Sequence, residues 1–226
     1  MNKTKTLAIG LLASLITLSC TTETYDSGDG DYSYLRADFV ELQISKAQQS
    51  THAICDDGTR ISFNEPLKVT WAEQSDTLYR ALLYYNSLPS HIEALNVGRV
   101  YVLWPKVADK VKNLKNDPVK LESMWMSKCC RELKSDGETV SHYLNLAFLV
   151  KTGHQDDDQA LQSIGMMKLQ NDDGSLQLTL LHDQGTIPEY YSARVYVSIP
   201  LTETQAKNPI TLTVNTYDGI ITKRFE

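Results

Sequence analysis

HAICDDGTRISF, residues 52–63, decides the fold. Asp57-Gly58 between two short runs of alternating apolar residues is a strong short-range hairpin signal. It predicts strands at 52–55 and 60–63 joined by a type I′ turn. Upstream, FVELQI (39–44) alternates with the period of two that a half-buried strand requires. Val40, Leu42 and Ile44 fall on one face, Glu41 and Gln43 on the other. Downstream, LKVTWA (67–72), TLYRALLYYN (77–86) and GRVYVLW (98–104) are rich in β-branched and aromatic residues and read as further strands. Between the last two, SLPSHIEALN offers Ser90 as the cap of one helical turn and Gly98 as its stop. This order is compatible with a five-stranded OB-like barrel, placed over residues 35–108, and suits other small barrels equally well.

Residues 105–118 (PKVADKVKNLKNDP) change character, being lysine-rich and bounded by two prolines. The core of this stretch, 109–118, is expected to be a linker, with Val107, Val111 and Leu114 sharing one side of a helical turn. Beyond it, strand-like runs recur at 121–127, 142–152, 160–169, 175–182, 191–200, 209–217 and 220–225. Asp136-Gly137, Asp173-Gly174 and Asp218-Gly219 supply turns. Evenly spaced short strands with such turns predict an antiparallel β-sandwich over 119–226. In YLNLAFLV, Leu144, Leu146 and Phe148 share one face, and Tyr143, Asn145, Ala147 and Leu149 the other. Ala160, Leu161 and Ile164 also fit a helix, but strand is the preferred reading there.

The N-terminus is of another kind. Lys3 and Lys5 precede an apolar run, Leu7 to Leu18, that is shorter than the roughly 20 residues needed to span a bilayer. Residues 1–19 therefore read as an export signal. Thr17-Leu18-Ser19 before Cys20 resembles a bacterial lipobox, which implies acylation of Cys20 and attachment to the membrane through that lipid. The stretch DSGDGD (26–31) does not make an EF-hand. Counting from Asp26, ligand positions 3 and 5 are Gly28 and Gly30; counting from Asp29, positions 5 and 6 are Ser33 and Tyr34. Residues 20–34 are expected to be an acidic tether. Acidic residues soon after a lipid-bearing cysteine also resemble the surface-export signals of Bacteroidetes lipoproteins.

The net charge is −6, and removing Lys3 and Lys5 with the signal takes it to −8. An acidic chain without a Lys/Arg cluster lacks the footprint of a nucleic-acid binder. Nucleotide, nucleophile-elbow and HExxH zinc motifs are missing from the sequence, and no pair of its five histidines has zinc-site spacing. Neither a catalytic residue nor a metal or other cofactor is expected. Candidate binding residues lie in LLHDQGTIPEYY, where His182, Asp183, Glu189, Tyr190 and Tyr191 bracket a turn. Tyrosine offers an apolar ring and a polar tip, which suits a glycan or peptide. Twelve tyrosines against four phenylalanines tilt the composition the same way. Asp156, Asp157 and Asp158 read as a solvated acidic loop. Export permits a disulfide from Cys55 to Cys129 or Cys130, while neighbours Cys129 and Cys130 on a strand would point apart.

Together, the Cys20 segment, CDDGTRI, DTLYRALLYYN, DPVKLESMWMSK, YLNLAFLVKTGHQD, LTLLHDQGTIPEYYSARVYVSIPL and ITLTVNTYDG resemble the NigD-like lipoproteins of Bacteroidetes over nearly the whole mature chain. The resemblance implies an OB-like domain followed by a β-sandwich, and a proposed part in bacteriocin immunity. It brings no catalytic residues. The expected protein is a non-catalytic lipoprotein of the cell envelope, on the outer membrane and facing periplasm or cell surface. Its expected partner is an envelope protein, a peptide or a glycan. An accessory subunit of an outer-membrane assembly is the alternative.

Overall fold

The first half folds into β1 (Leu35–Ile44), β2 (Gln49–Cys55), β3 (Arg60–Lys68), β4 (Thr77–Ser87) and β5 (Ile92–Arg99). This is a computed structural model that describes residues 34–45, 47–88, 91–111, 113–135, 137–154 and 162–226. The expectations for the signal, Cys20, DSGDGD, Ser90 and Asp156 to Asp158 lie outside those residues. The five strands pair antiparallel in the order β3-β2-β1-β4-β5, and the sheet curls until β3 comes close to β5. That ring order is the one an OB barrel has. Val40, Leu42 and Ile44 point inward with Ala81, Leu83 and Tyr85. Each fully buried aliphatic side chain contributes about 1.5–3 kcal/mol.

Three local expectations change. The β2–β3 hairpin forms, but its turn is not type I′, which needs positive φ at both central residues. Only Gly58 is left-handed (φ 86°), and its N–H donates to the Cys55 carbonyl. The result is a type I turn followed by a glycine bulge, with Thr59 N–H donating to Asp57 Oδ1 at 2.8 Å. Second, β3 ends at Lys68: Val69 and Ala72 turn inward and pack into the barrel instead of continuing the strand. Third, residues 92–99 are strand β5 where a helical turn was expected. Ile92, Ala94 and Val97 face the barrel core across a register shift opposite Tyr84/Tyr85, the pattern of a bulged strand.

The second half holds β6 (Tyr101–Val102), α1 (Ala108–Val111), β7 (Lys120–Lys128), β8 (Lys134–Ser135), β9 (Glu138–Thr152) and β10 (Ser163–Gln170). It continues with β11 (Leu176–Asp183), β12 (Tyr191–Thr202), α2 (Glu203–Ala206), β13 (Ile210–Thr216) and β14 (Gly219–Phe225). One sheet runs β10-β11-β13-β14 and the other β6-β12-β9-β7, with β8 pairing β9 at the side. Between them lies a core that includes Leu144, Leu146, Phe148, Leu176, Leu178, Leu180, Val197, Ile199, Leu212 and Val214. The sandwich is mixed, because β11 pairs β13 and β12 pairs β6 in parallel. Between β11 and β13 the chain visits the opposite sheet as β12. It returns through α2, whose start is fixed by a capping box of Thr202 and Gln205. A parallel partner is therefore reached without a hairpin.

Strand β9 has no water-facing side over its centre. Its even residues fill the sandwich core, while Tyr143, Asn145 and Ala147 are buried on the other face. That second face meets the outer surface of β1 and β4. Phe39 and Leu82 pack there with Val100, Tyr84, Trp125 and Tyr196. The Phe39 ring sits edge-on to Trp125 at 5.0 Å and to Tyr196 at 5.8 Å.

Candidate functional site

The five loop residues singled out from the sequence do not converge. His182 continues the inward row of Leu176, Leu178 and Leu180 on β11 and is 1% exposed. Its Nε2 lies 3.0 Å from Gln162 Nε2, while Nδ1 has no partner among the described residues. Asp183 accepts the Gly185 N–H at 3.0 Å and pairs with Lys115 at 3.2 Å, contacts that shape the turn. Glu189 is exposed. Tyr190 and Tyr191 stand out at 79% and 57% exposure. Behind them, Gly153 passes so close to Pro188 that a Cβ there would lie 2.7 Å from the Pro188 carbonyl. The loop thus displays two tyrosines on a rigid support, and His182 belongs to the core.

A denser arrangement lies where the barrel meets the sandwich. Arg80, on the outer face of β4, is 2% exposed, and Glu41 beside it on β1 is 1% exposed. A guanidinium survives such burial only if its donors are used. Arg80 grips the Asp56 carboxylate with both terminal nitrogens, one of them at 2.8 Å. Its Nε donates to Ser198 Oγ at 3.2 Å, and its carbon lies 4.4 Å from the centre of the Tyr143 ring, a cation–π contact. Ser198 donates to Asn145 at 2.6 Å, and Asn145 donates to Ser127 at 2.8 Å. Glu41 accepts from Tyr143 at 3.1 Å and stands 3.7 Å from Arg80 and 3.6 Å from Arg131. Burial raises the Glu41 carboxyl above the ordinary carboxylate range, against the pull of both arginines. Two cations and two carboxylates thus balance inside the junction, with Asp56 held rigidly at its edge.

Beside Asp56 opens a cleft of about 840 Å³, within the 300–1,000 Å³ typical of ligand sites. One wall is aromatic and apolar: Phe39, Leu82, Tyr84 and Tyr85 from the barrel, Trp125 and Tyr196 from the sandwich. The other wall is the tip of the β2–β3 hairpin, Cys55 to Thr59. Asp38, Asp56 and Asp57 line it, and among the described residues no lysine, arginine or histidine does. Asp38 accepts the Tyr85 hydroxyl at 2.7 Å. The Thr59 amide beside Asp57 holds that carboxyl below its usual range, so it stays ionised at neutral pH.

Among the described residues the lining carries one thiol, that of Cys55. Burial, followed by the charges of Asp38, Asp57 and Asp56, pushes the Cys55 thiol up to about 11, and a thiol that keeps its proton is a poor nucleophile. Cys55, Cys129 and Cys130 are all free thiols. Among the described residues no cluster of His, Cys, Asp and Glu is arranged to hold a metal ion.

Sequence reasoning read TLYRALLYYN as a strand but did not identify the residues its tyrosines meet. One local signal for the junction was present: Arg80 sits alone among apolar residues in TLYRALLYYN, as a buried charge with a distant partner would. Asp56, Trp125 and Tyr196 carried no such signal, because what joins them is the packing of β1 and β4 on β9 and β12.

A family model, the NigD-like C-terminal beta sandwich domain, matches residues 103–225. No curated protein matches the chain. Among solved structures, a NigD-like immunity protein from Bacteroides caccae is similar at 21% identity and a TM-score of 0.59, over 83% of this chain and 91% of that one. A proposed toxin-related protein from Parabacteroides distasonis is similar at 18% identity and 0.55, over 84% and 92%. A proposed lipoprotein from Bacteroides fragilis is similar at 12% identity and 0.54, over 84% and 96%. At these identities the likeness is one of fold.

Proposed function

Since the chain belongs to the NigD-like family, we propose that it is a non-catalytic binding protein of the cell envelope, and that the cleft between barrel and sandwich receives its partner. The observation that carries this reading is the cleft itself. Its walls come from both halves of the chain, its aromatic side chains are fixed by packing, and its hairpin wall is anchored by a buried arginine. A site held in place before a ligand arrives loses little entropy on binding. Its one thiol is held protonated, which fits recognition better than turnover.

The anchoring we propose rests on the sequence alone. A lipid on Cys20 would hold the protein at the outer membrane, and among the described residues no helix is long and apolar enough to cross a membrane. Cys20→Ala should move the protein from the membrane fraction to the soluble fraction in a cell fractionation; retention as firm as that of the parent removes the lipid from the account. Immunity is the concrete form the reading takes, in line with the name of the Bacteroides caccae relative. The tethered protein would occupy a toxin, or its receptor, at the surface it protects. Capture from envelope extracts tests this with Thr59→Trp, which fills the cleft from an exposed rim position. Loss of a soluble toxin from the captured material supports the immunity reading, and an unchanged catch refutes the cleft as the binding place.

The exposure of Tyr190 and Tyr191 favours a second reading, in which the 183–191 loop takes a glycan or peptide, or docks on an outer-membrane assembly. Replacing both tyrosines with serine in the same capture separates it from the first.

A further inference from the structure

Strand β1 pairs with β4 along its whole length, from Leu35 to Ile44. On its other side β2 pairs only with Val40, Glu41 and Leu42. Among the described residues no strand covers Leu35 to Phe39 on that side. Ala37, Asp38 and Phe39 from this uncovered length line the cleft. A strand edge left open inside a cleft presents main-chain donors and acceptors to any extended segment that enters.

The sign of the lining restricts what that segment can carry. Asp56 is neutralised by Arg80, whereas Asp38 has only the Tyr85 hydroxyl and Asp57 only its own turn among the described contacts. The surrounding cations offer little relief. Arg194 is held by Glu122 at 2.6 and 3.0 Å, and Arg36, the next inward-facing residue of β1 before Asp38, is exposed. The aromatic wall opposite adds faces that favour cations. The chain's own segment ahead of β1 carries Asp26, Asp29 and Asp31, of the same sign as the cleft.

Resting on the cleft as the binding place, we propose that its ligand is an extended basic peptide segment from another protein. It adds alongside residues 35–39 of β1 and places a lysine or arginine between Asp38, Asp57 and the tyrosine wall. The backbone edge supplies pairing that any sequence can use, and the two free carboxylates choose the charge.

The test uses the full chain and three blocked peptides, TVKVT, TVQVT and TVEVT, with binding read by tryptophan fluorescence and calorimetry. At low salt TVKVT should bind roughly tenfold more tightly than TVQVT, and TVEVT more weakly than either. The advantage should shrink as salt rises. In Asp38→Asn/Asp57→Asn the ratio should fall to about one. Both asparagines can still accept the Tyr85 and Thr59 hydrogen bonds, so an unchanged melting temperature certifies the fold. A TVKVT peptide N-methylated at alternate residues should lose binding. No binding of any peptide, equal binding of all three, or a ratio that survives the double variant overturns the charge rule; N-methylated peptide that still binds overturns strand addition. If the rule fails while Thr59→Trp still abolishes capture from envelope extracts, the cleft remains the binding place and only the chemistry of its ligand is wrong. If the rule holds while capture is unchanged, the cleft binds basic peptides but is not where the envelope partner docks.

Discussion

Two hairpins in this protein are built from nearly the same letters and are put to different use. Asp56-Asp57-Gly58-Thr59 joins β2 to β3, and Asp172-Asp173-Gly174-Ser175 joins β10 to β11. In both, the glycine is left-handed, its N–H donates three residues back, and the second aspartate accepts the next-but-one N–H at 2.8 or 2.9 Å. Their first aspartates part company. Asp56 is held by buried Arg80 at the rim of the cleft, while Asp172 is exposed to solvent. The turn is decided within five residues, but its role is decided by a side chain 24 positions away.

The largest expected break in this comparison is Arg80→Ala against Asp172→Ala. Removing Arg80 strips Asp56 and Glu41 of their shared cation inside the junction, and should cost about 3–5 kcal/mol in urea unfolding. Asp172→Ala should stay within about 0.5 kcal/mol of the parent. A small loss at Arg80 would mean that the junction relaxes and admits water.

A second, smaller contrast comes from the glycines. A left-handed alanine costs about 1–2 kcal/mol at either site. A Cβ at Gly58 meets nothing within 4 Å, whereas one at Gly174 would lie 3.2 Å from Asn208 Oδ1. Gly174→Ala should therefore lower the melting temperature somewhat more than Gly58→Ala. Equal shifts would show that Asn208 swings away freely.

The smallest effect sharpens the comparison through pH. Glu41, next to Arg80, holds its proton to higher pH in the folded chain than in the unfolded one. The stability this contributes is complete below the unfolded value, about 4.5, and is lost as pH rises through the folded value. Glu41→Gln should flatten that decline in a series of melting temperatures taken upward from pH 4.5. No such flattening is expected from a change at Asp173. The Ser175 hydroxyl and amide lower its carboxyl, so its contribution is lost only as pH falls.

What could be read from the sequence divides along the same line. Alternation in 39–44, Asp-Gly turns and the two-faced pattern of 143–150 were enough for most strands of both halves, because side-chain period and turn chemistry are local. The parallel pairing of β11 with β13 was not readable, since it depends on the chain crossing to the other sheet as β12. At 92–99, the letters Ser90 and Gly98 read as a helix cap and stop, while pairing with β4 makes the stretch a bulged strand. For the candidate site, His182 looked like a loop ligand because only the depth of the sandwich shows that its row points inward. The cleft was invisible for the converse reason. Its carboxylates belong to the barrel and two of its aromatic residues, Trp125 and Tyr196, to the sandwich.

Strand β9 sets a limit on how such a protein can be inherited. Since one of its faces completes the sandwich and the other is covered by the barrel, neither half carries a finished exterior. A recombination that joined this sandwich to a foreign barrel would leave Tyr143, Asn145 and Ser198 against an unmatched surface. The cleft would also lose one of its two walls. The two halves are therefore expected to pass between genomes as a unit, with novelty arriving by substitution along the seam rather than by exchange of modules.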